Sequence, residues 1–346
     1  MTTQISRRSF FVGGTALTAL VVANLPRRAS AQSRSINLYS SRHYDTDDIL
    51  YDAFGEVNLI EAGAEELIER IQSEGVNSPA DVLLTVDAGR LWRAEQAGLF
   101  QSVRSATLDE RIPDNLRHPN GLWYGFTQRA RVLYYSRDRV NPVDLSTYEA
   151  LADPQWRGKI LIRSSSNIYN LSLVASRIAI HGRSETRRWL EGLVSNFARE
   201  PESNDTGQIR AVAAGVGDVA IANSYYYIRL QKSDDPADRE VVEKVGLFFP
   251  NTGPGERGTH VNISGGGVLQ NAPNREAAIA FLEHLAADES QRYFAEGNNE
   301  YPAIAGVPID PVLASHGPLQ ADSLNVADLG RYQPDAARLM DEVGWR

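Results

Sequence analysis

The sequence predicts an α/β fold of two lobes joined by a hinge, and three observations carry that reading. Strand-like runs alternate with amphipathic helical runs along most of the chain, the pattern of largely parallel sheets flanked by helices. Two β-rich segments interrupt the alternation in mid-chain, where the polypeptide can pass from one lobe to the other. Finally, 346 residues are enough for about two domains.

The first 31 residues stand apart. Ser6-Arg7-Arg8-Ser9-Phe10-Phe11 precedes an apolar stretch from Val12 to Leu25 and then Ala29-Ser30-Ala31, a small-residue cleavage pattern. Residues 1–31 are therefore expected to be a twin-arginine signal peptide, too short in its apolar part to span a membrane. The leader carries four of the 35 basic residues and none of the 44 acidic ones, leaving 31 against 44 and a net charge of −13. Such an acidic chain is a poor partner for nucleic acid. Hydrophobic residues at 42% suffice for a core, and the mature chain reads as globular.

SINLYSS (Ser35–Ser41) reads as a strand, and residues 47–54 as a short helix with Asp45 or Thr46 as its N-cap. Glu65–Glu74 is an amphipathic helix ending at Gly75. Asp81–Val86 is a strand that feeds a helix around Arg90–Gln96. Further on come a strand at Lys159–Arg163, a helix at Leu171–Ile180 stopped by Gly182, a strand at Asp218–Ala222, and a helix from about Tyr225. The crossings are placed at Arg129–Ser136 and Thr259–Gly267. They divide the chain into residues 32–130 plus 259–304 as one lobe and 131–258 plus 305–346 as the other, a hinged arrangement like that of periplasmic binding proteins.

The chain has no cysteine, which excludes disulfides, thiolate metal sites and cysteine nucleophiles together. Any metal must be held by oxygen or imidazole. No HExxH pattern is present among six histidines, and no P-loop, GxSxG elbow or GxGxxG follows a strand, so enzyme readings have no constellation of residues behind them. The acids Asp45, Asp47 and Asp48 do not open a calcium loop, because its sixth position would be Leu50 instead of glycine.

Tyrosines carry the functional argument. Of fourteen, Tyr44, Tyr169, Tyr225 and Tyr226 each follow a strand and sit at or before the start of a helix, the end of an open α/β sheet where ligands bind. The positive pole of a helix N-terminus favours a phenolate there. A free phenol titrates at about 10, so only a strongly charged cation displaces its proton at neutral pH. Fe³⁺ is such an ion, and as a hard cation it prefers oxygen donors. Taken alone, the run Tyr225-Tyr226-Tyr227 would more often be strand packing; the shared position of all four tyrosines favours a site. His43, beside Tyr44, is either a further ligand or a solvated loop residue. Four phenolates around Fe³⁺ leave one excess negative charge, for which Arg42, Arg129, Arg131, Arg163 and Arg229 are at hand. Arg129, at a lobe crossing, is the preferred source.

These blocks resemble one family. NLYSSRHYDTDDILYDAF, SPADVLLTVDAGRL, WYGFTQRARVLYYS, RSSSNIYNLSLVAS, IANSYYYIRL, GTHVNISGGGV and NNEYP together make the mature chain similar to the periplasmic ferric-iron-binding proteins of ABC transporters, FutA type. The resemblance implies a two-lobed periplasmic-binding-protein fold with the metal in the inter-lobe cleft. It implies Fe³⁺, and potentially Fe²⁺, held by Tyr44, Tyr169, Tyr225 and Tyr226 with variable use of His43, and Tyr227 as a non-ligand. A periplasmic, monomeric carrier that serves a membrane permease and uses the twin-arginine export machinery follows from the same likeness. Wider relatives take a carboxylate ligand from the strand near Asp87, where this chain has Val86. The rival reading is a binding protein for an organic cation such as a polyamine or thiamine, boxed by the same rings.

Overall fold

The computed structural model describes residues 35–42, 44–202 and 204–346; the leader read at 1–31 and His43 lie outside the described residues. The nine strands are β1 (Ser35–Ser40), β2 (Glu56–Glu61), β3 (Val82–Val86), β4 (Tyr124–Ser136), β5 (Ile160–Leu161), β6 (Val219–Asn223), β7 (Val245–Phe248), β8 (Val261–Val268) and β9 (Tyr301–Pro302). They run in the order β2-β1-β3-β8-β4-β6-β5, with β7 and β9 also paired to β4. The pairs β2/β1, β1/β3 and β5/β6 are parallel, whereas β8 and β4 pair antiparallel with their neighbours.

β4 is the element that makes two lobes of one sheet. Its first half, through Ala130, pairs with β8, and its second half, from Arg131, pairs with β6 and β7. The packing divides at the same place. Phe126 and Ile263 belong to a core built from residues 36–126 and the returning segment 263–303. Ala130, Val132 and Val261 belong to a second set of residues packed around β6, which continues through Leu133 into the core that ends at Trp345. Residues on either side of Ala130 in β4, and of Val261 in β8, thus pack into different cores. Leu313 packs with the residues around β6, Val326 and Leu329 pack back into the first core, and Ala336 joins the core of Trp345, a return within residues 305–346 that the sequence reading did not include.

β8 lies between β3 and β4, and its Gly265-Gly266-Gly267 run is fully buried. A Cβ at Gly266 would stand 2.5 Å from Leu83 O, and one at Gly267 2.2 Å from Leu122 O. The glycines are there because neighbouring backbones approach too closely for any side chain.

Two local expectations change and a third holds. The helix Asp48–Phe54 is preceded by a 3₁₀ turn, Asp45–Asp47, and takes Asp47 as its N-cap. Asp47 gives it no capping bond, because its carboxylate is committed to Arg42 Nε at 2.7 Å and to Asn298 Nδ2 at 2.8 Å. β5 is only two residues long instead of the five from Lys159 to Arg163: the carbonyls of Arg163 and Ser164 accept from the Asn170 side chain at 2.9 and 3.0 Å and leave the ladder. Gly182 ends its helix as the sequence reading expects: at φ 78° and ψ 166° it leaves helical geometry and divides the stretch Ile168–Ser195 into two helices, the second of which buries Trp189, Leu190 and Leu193. Among the described residues no helix is long and apolar enough to cross a membrane.

Candidate metal centre

Each of the four tyrosines sits where a strand end hands over to a helix. β1 leads through Ser41 and Arg42 toward Tyr44. β5 leads into the helix Ile168–Ser195, whose cap Asn167 accepts from the Tyr169 N–H at 3.2 Å. β6 leads directly into the helix Ser224–Gln231, which carries Tyr225 and Tyr226 on its first turn. The parallel pair β5/β6 sets these two helix starts side by side.

All four side chains line one cavity of about 250 Å³. The hydroxyls of Tyr169 and Tyr225 are 3.5 Å apart, and the rings of Tyr225 and Tyr226 lie 4.1 Å apart between centroids. Tyr227 is not among them. Its hydroxyl points into the lobe and donates to Val245 O at 2.5 Å and Val242 O at 3.2 Å.

Burial is the main force on these phenols. It pushes Tyr44 up, Glu300 adds to the rise, and Arg129 and Arg42 oppose it. Tyr225 is raised by burial and then by Tyr169, Tyr44 and Tyr226. Tyr226 is raised to about 12 by burial and then by Tyr169 and Asp205. Without a metal these three are neutral hydroxyls at pH 7.

The arginines form the positive surroundings. The buried Arg129 guanidinium stands 5.9 Å from the Tyr169 ring, and among the described residues its Nε and Nη1 have no hydrogen-bond partner. Burial works against its charge, but the Glu300 carboxylate beside it more than offsets burial, and the guanidinium stays protonated. Arg131 and Arg163 lie 5.8 and 5.7 Å from the same ring. Arg42 is 4.7 Å from the Tyr44 ring, and Arg229 lies between Tyr44 at 5.3 Å and Tyr225 at 5.1 Å. Arg229 forms no salt bridge among the described residues, so its charge is free to act on both rings.

Glu300 is the residue that sequence reasoning missed. Fully buried, it lies 3.4 Å from Arg42 Nη1 and 3.9 Å from Arg129 Nε, and it accepts from the Tyr44 hydroxyl at 3.4 Å. The charge of Arg129 is therefore shared with a carboxylate and is not held wholly for phenolates. A weak signal existed in NNEYP, an isolated acid just before a strand. Val86 lines the cavity, and the neighbouring Asp87 carboxylate is occupied elsewhere by Gly89, Ser172 and Asn262. Among the described residues no group of three His, Asp or Glu side chains could hold a metal. The phenols are the donors this cavity offers.

A two-lobed α/β fold with a polar cavity between strand ends defines an extracellular solute-binding protein. Residues 77–321 match the bacterial extracellular solute-binding protein family, and the chain belongs to it. It is 84% identical to iron uptake protein A2 of Synechocystis sp. over 346 residues, the full length of both, and 50% identical to iron uptake protein A1 of the same organism, again over the whole of each. The solved structure of apo FutA2 from Synechocystis is 83% identical with a TM-score of 0.90, covering 91% of this chain and all of that one. Trichodesmium FutA, solved in complex with iron and citrate, is 60% identical with a TM-score of 0.88 over 90% of this chain and all of that one. These are solute-binding transport proteins, and membership of their family makes this chain a carrier, not an enzyme.

Proposed function

We propose that this chain is the substrate-binding component of an ABC iron importer, taking up Fe³⁺ through the phenolates of Tyr44, Tyr169, Tyr225 and Tyr226 and delivering it to a membrane permease. The observation that carries this reading is the convergence, in one cavity, of one tyrosine from the first core's β1 end and three from the helices after β5 and β6. An ion that binds both groups favours the closed arrangement of the lobes, and a permease can recognise that closure. Arg229 and Arg129 offset the one excess charge of four phenolates on Fe³⁺. Iron uptake by the A1 and A2 relatives, and the iron in the Trichodesmium complex, support the same cargo.

The lobes on this reading follow the cores: residues 32–130 with 259–304, and 131–258 with 305–346, apart from the return of Val326 and Leu329 to the first. His43 is proposed as a fifth donor from its place beside Tyr44. The Arg7-Arg8 leader directs twin-arginine export to the periplasm, where the chain works as a monomer. The organic-cation alternative lacks support, because the cavity lining contains Arg90 and Arg229 and no acid, the reverse of what a cation box requires.

The test is a visible titration of the purified protein with Fe³⁺ and Fe²⁺ separately. Phenolate-to-Fe³⁺ charge transfer is expected to colour the ferric complex orange to red, while Fe²⁺ binds more weakly and without that band. A colourless protein at saturating Fe³⁺ overturns the reading.

A further inference from the structure

We infer that Asp87 is a positioning residue for Tyr169: a carboxylate of the first lobe that fixes how far a ligand of the second lobe reaches into the cleft. The inference rests on the tyrosine reading above. β3 ends at Val86, and the next residue turns the chain at φ 80° and ψ 122°, a conformation that a non-glycine residue rarely adopts and that its surroundings must enforce. Asp87 has no exposure at all.

The surroundings come from both lobes. On its own side, the Asp87 carboxylate caps the helix Ala88–Gln96 by accepting from Gly89 N at 2.8 Å, and it accepts from Asn262 Nδ2 of β8 at 2.8 Å. From the other side, Ser172 Oγ donates to both carboxylate oxygens, at 2.8 and 3.0 Å. Gln333 Nε2 donates to Ser172 Oγ at 3.0 Å and lies 3.4 Å from Asp87 Oδ1. Ser172 is three residues beyond Tyr169 on the helix Ile168–Ser195, on the next turn of the same face. The first lobe thus grips the helix that carries Tyr169 one turn beyond that tyrosine.

An acceptor is required at every contact. Asn262 cannot turn its amide round without loss, since its Oδ1 already accepts from Ala88 N at 2.9 Å and from Ile263 N at 2.8 Å. An amide at position 87 sets its NH₂ against donors from Gly89, Asn262 or Ser172, and one contact must break.

The experiment measures Fe³⁺ affinity of the full chain against a competing chelator for Asp87→Asn and Ser172→Ala, each alone and in Tyr169→Phe and Tyr44→Phe backgrounds. Each single change is expected to weaken Fe³⁺ binding about tenfold, the scale for residues that orient a ligand. That loss should persist with Tyr44→Phe and vanish with Tyr169→Phe. If Asp87→Asn does not fold, Ser172→Ala, which deletes only a hydroxyl, carries the same comparison. An equal loss in the Tyr169→Phe background, or wild-type affinity in folded variants, overturns the positioning role while leaving the tyrosine site intact. A wild-type protein without a ferric band overturns the tyrosine site, and this inference with it.

Discussion

The Tyr44 hydroxyl donates to Glu300 Oε1 at 3.4 Å, although 256 residues separate them. A neutral phenol suits that carboxylate, and a phenolate does not. Glu300 is held in turn by Arg42 and Arg129, so this corner of the site is balanced for the metal-free state. Glu300→Gln keeps an acceptor for Tyr44 and removes the repulsion that a phenolate would meet. Chelator competition should show Fe³⁺ bound about tenfold more tightly at pH 7, while the melting temperature falls because two buried guanidiniums lose a partner. Weaker Fe³⁺ binding by a folded variant would instead make Glu300 itself a ligand.

The three consecutive tyrosines separate by what their hydroxyls face. Tyr225→Phe with Tyr226→Phe should abolish the ferric visible band, because both donors leave the cavity. Tyr227→Phe should keep the band and cost about 1–2 kcal/mol of stability in denaturant unfolding, the worth of a buried hydroxyl that serves Val245 O and Val242 O. A band that survives the double change sinks the ligand assignment.

Arg131 ties together both helix starts that carry tyrosines. Its guanidinium reaches Asp205 and Asn223 Oδ1, each at 3.0 Å, and Asn170 Oδ1 at 2.6 Å. Asn170 follows Tyr169, and Asn223 immediately precedes the helix of Tyr225 and Tyr226. Arg131→Met should lower stability by about 3 kcal/mol, since it strips the buried Asp205 of its nearest cation. Adding Asp205→Leu should restore much of that stability but not the iron affinity, because neither change restores the links to Asn170 and Asn223. Recovery of both properties together would reduce Arg131 to a stability role.

The parts of the site legible in the sequence were those with a local signature. Tyr44, Tyr169, Tyr225 and Tyr226 each follow a β-rich run, and strand-to-helix handover can be read from the chain itself. Arg129 was locatable because it lies in the unbroken β pattern of β4. Glu300 had no such signature: it follows Asn299, which adopts φ 58°, and its role arises only when folding brings Arg42 to it from 258 residues away. The same holds for the link from Asp87 to Ser172, 85 residues apart. The return of Val326 and Leu329 to the first core was hidden because Val326 to Ala336 is helical and polar-rich, with no β pattern to mark a crossing.

Acid should release the iron, and the sign follows from the phenols. Burial raises Tyr44, Tyr225 and Tyr226 above the ordinary phenol value of about 10, to about 12 for Tyr226. Each enters the site protonated at pH 7, so Fe³⁺ must displace a proton from each. Displacement of these three protons alone makes the affinity fall by at least roughly a thousandfold for each unit of pH lowered. The metal-free fold responds in the opposite direction. A group whose folded value is raised stabilises the protein fully below its unfolded value near 10 and withdraws that support as pH rises through the folded value. The thermal unfolding temperature of the metal-free protein should therefore fall in alkali, above about pH 10, while chelator competition from pH 8 down to pH 5 should show the steep loss of iron. An affinity flat across that range contradicts phenolate ligation whatever colour the complex has.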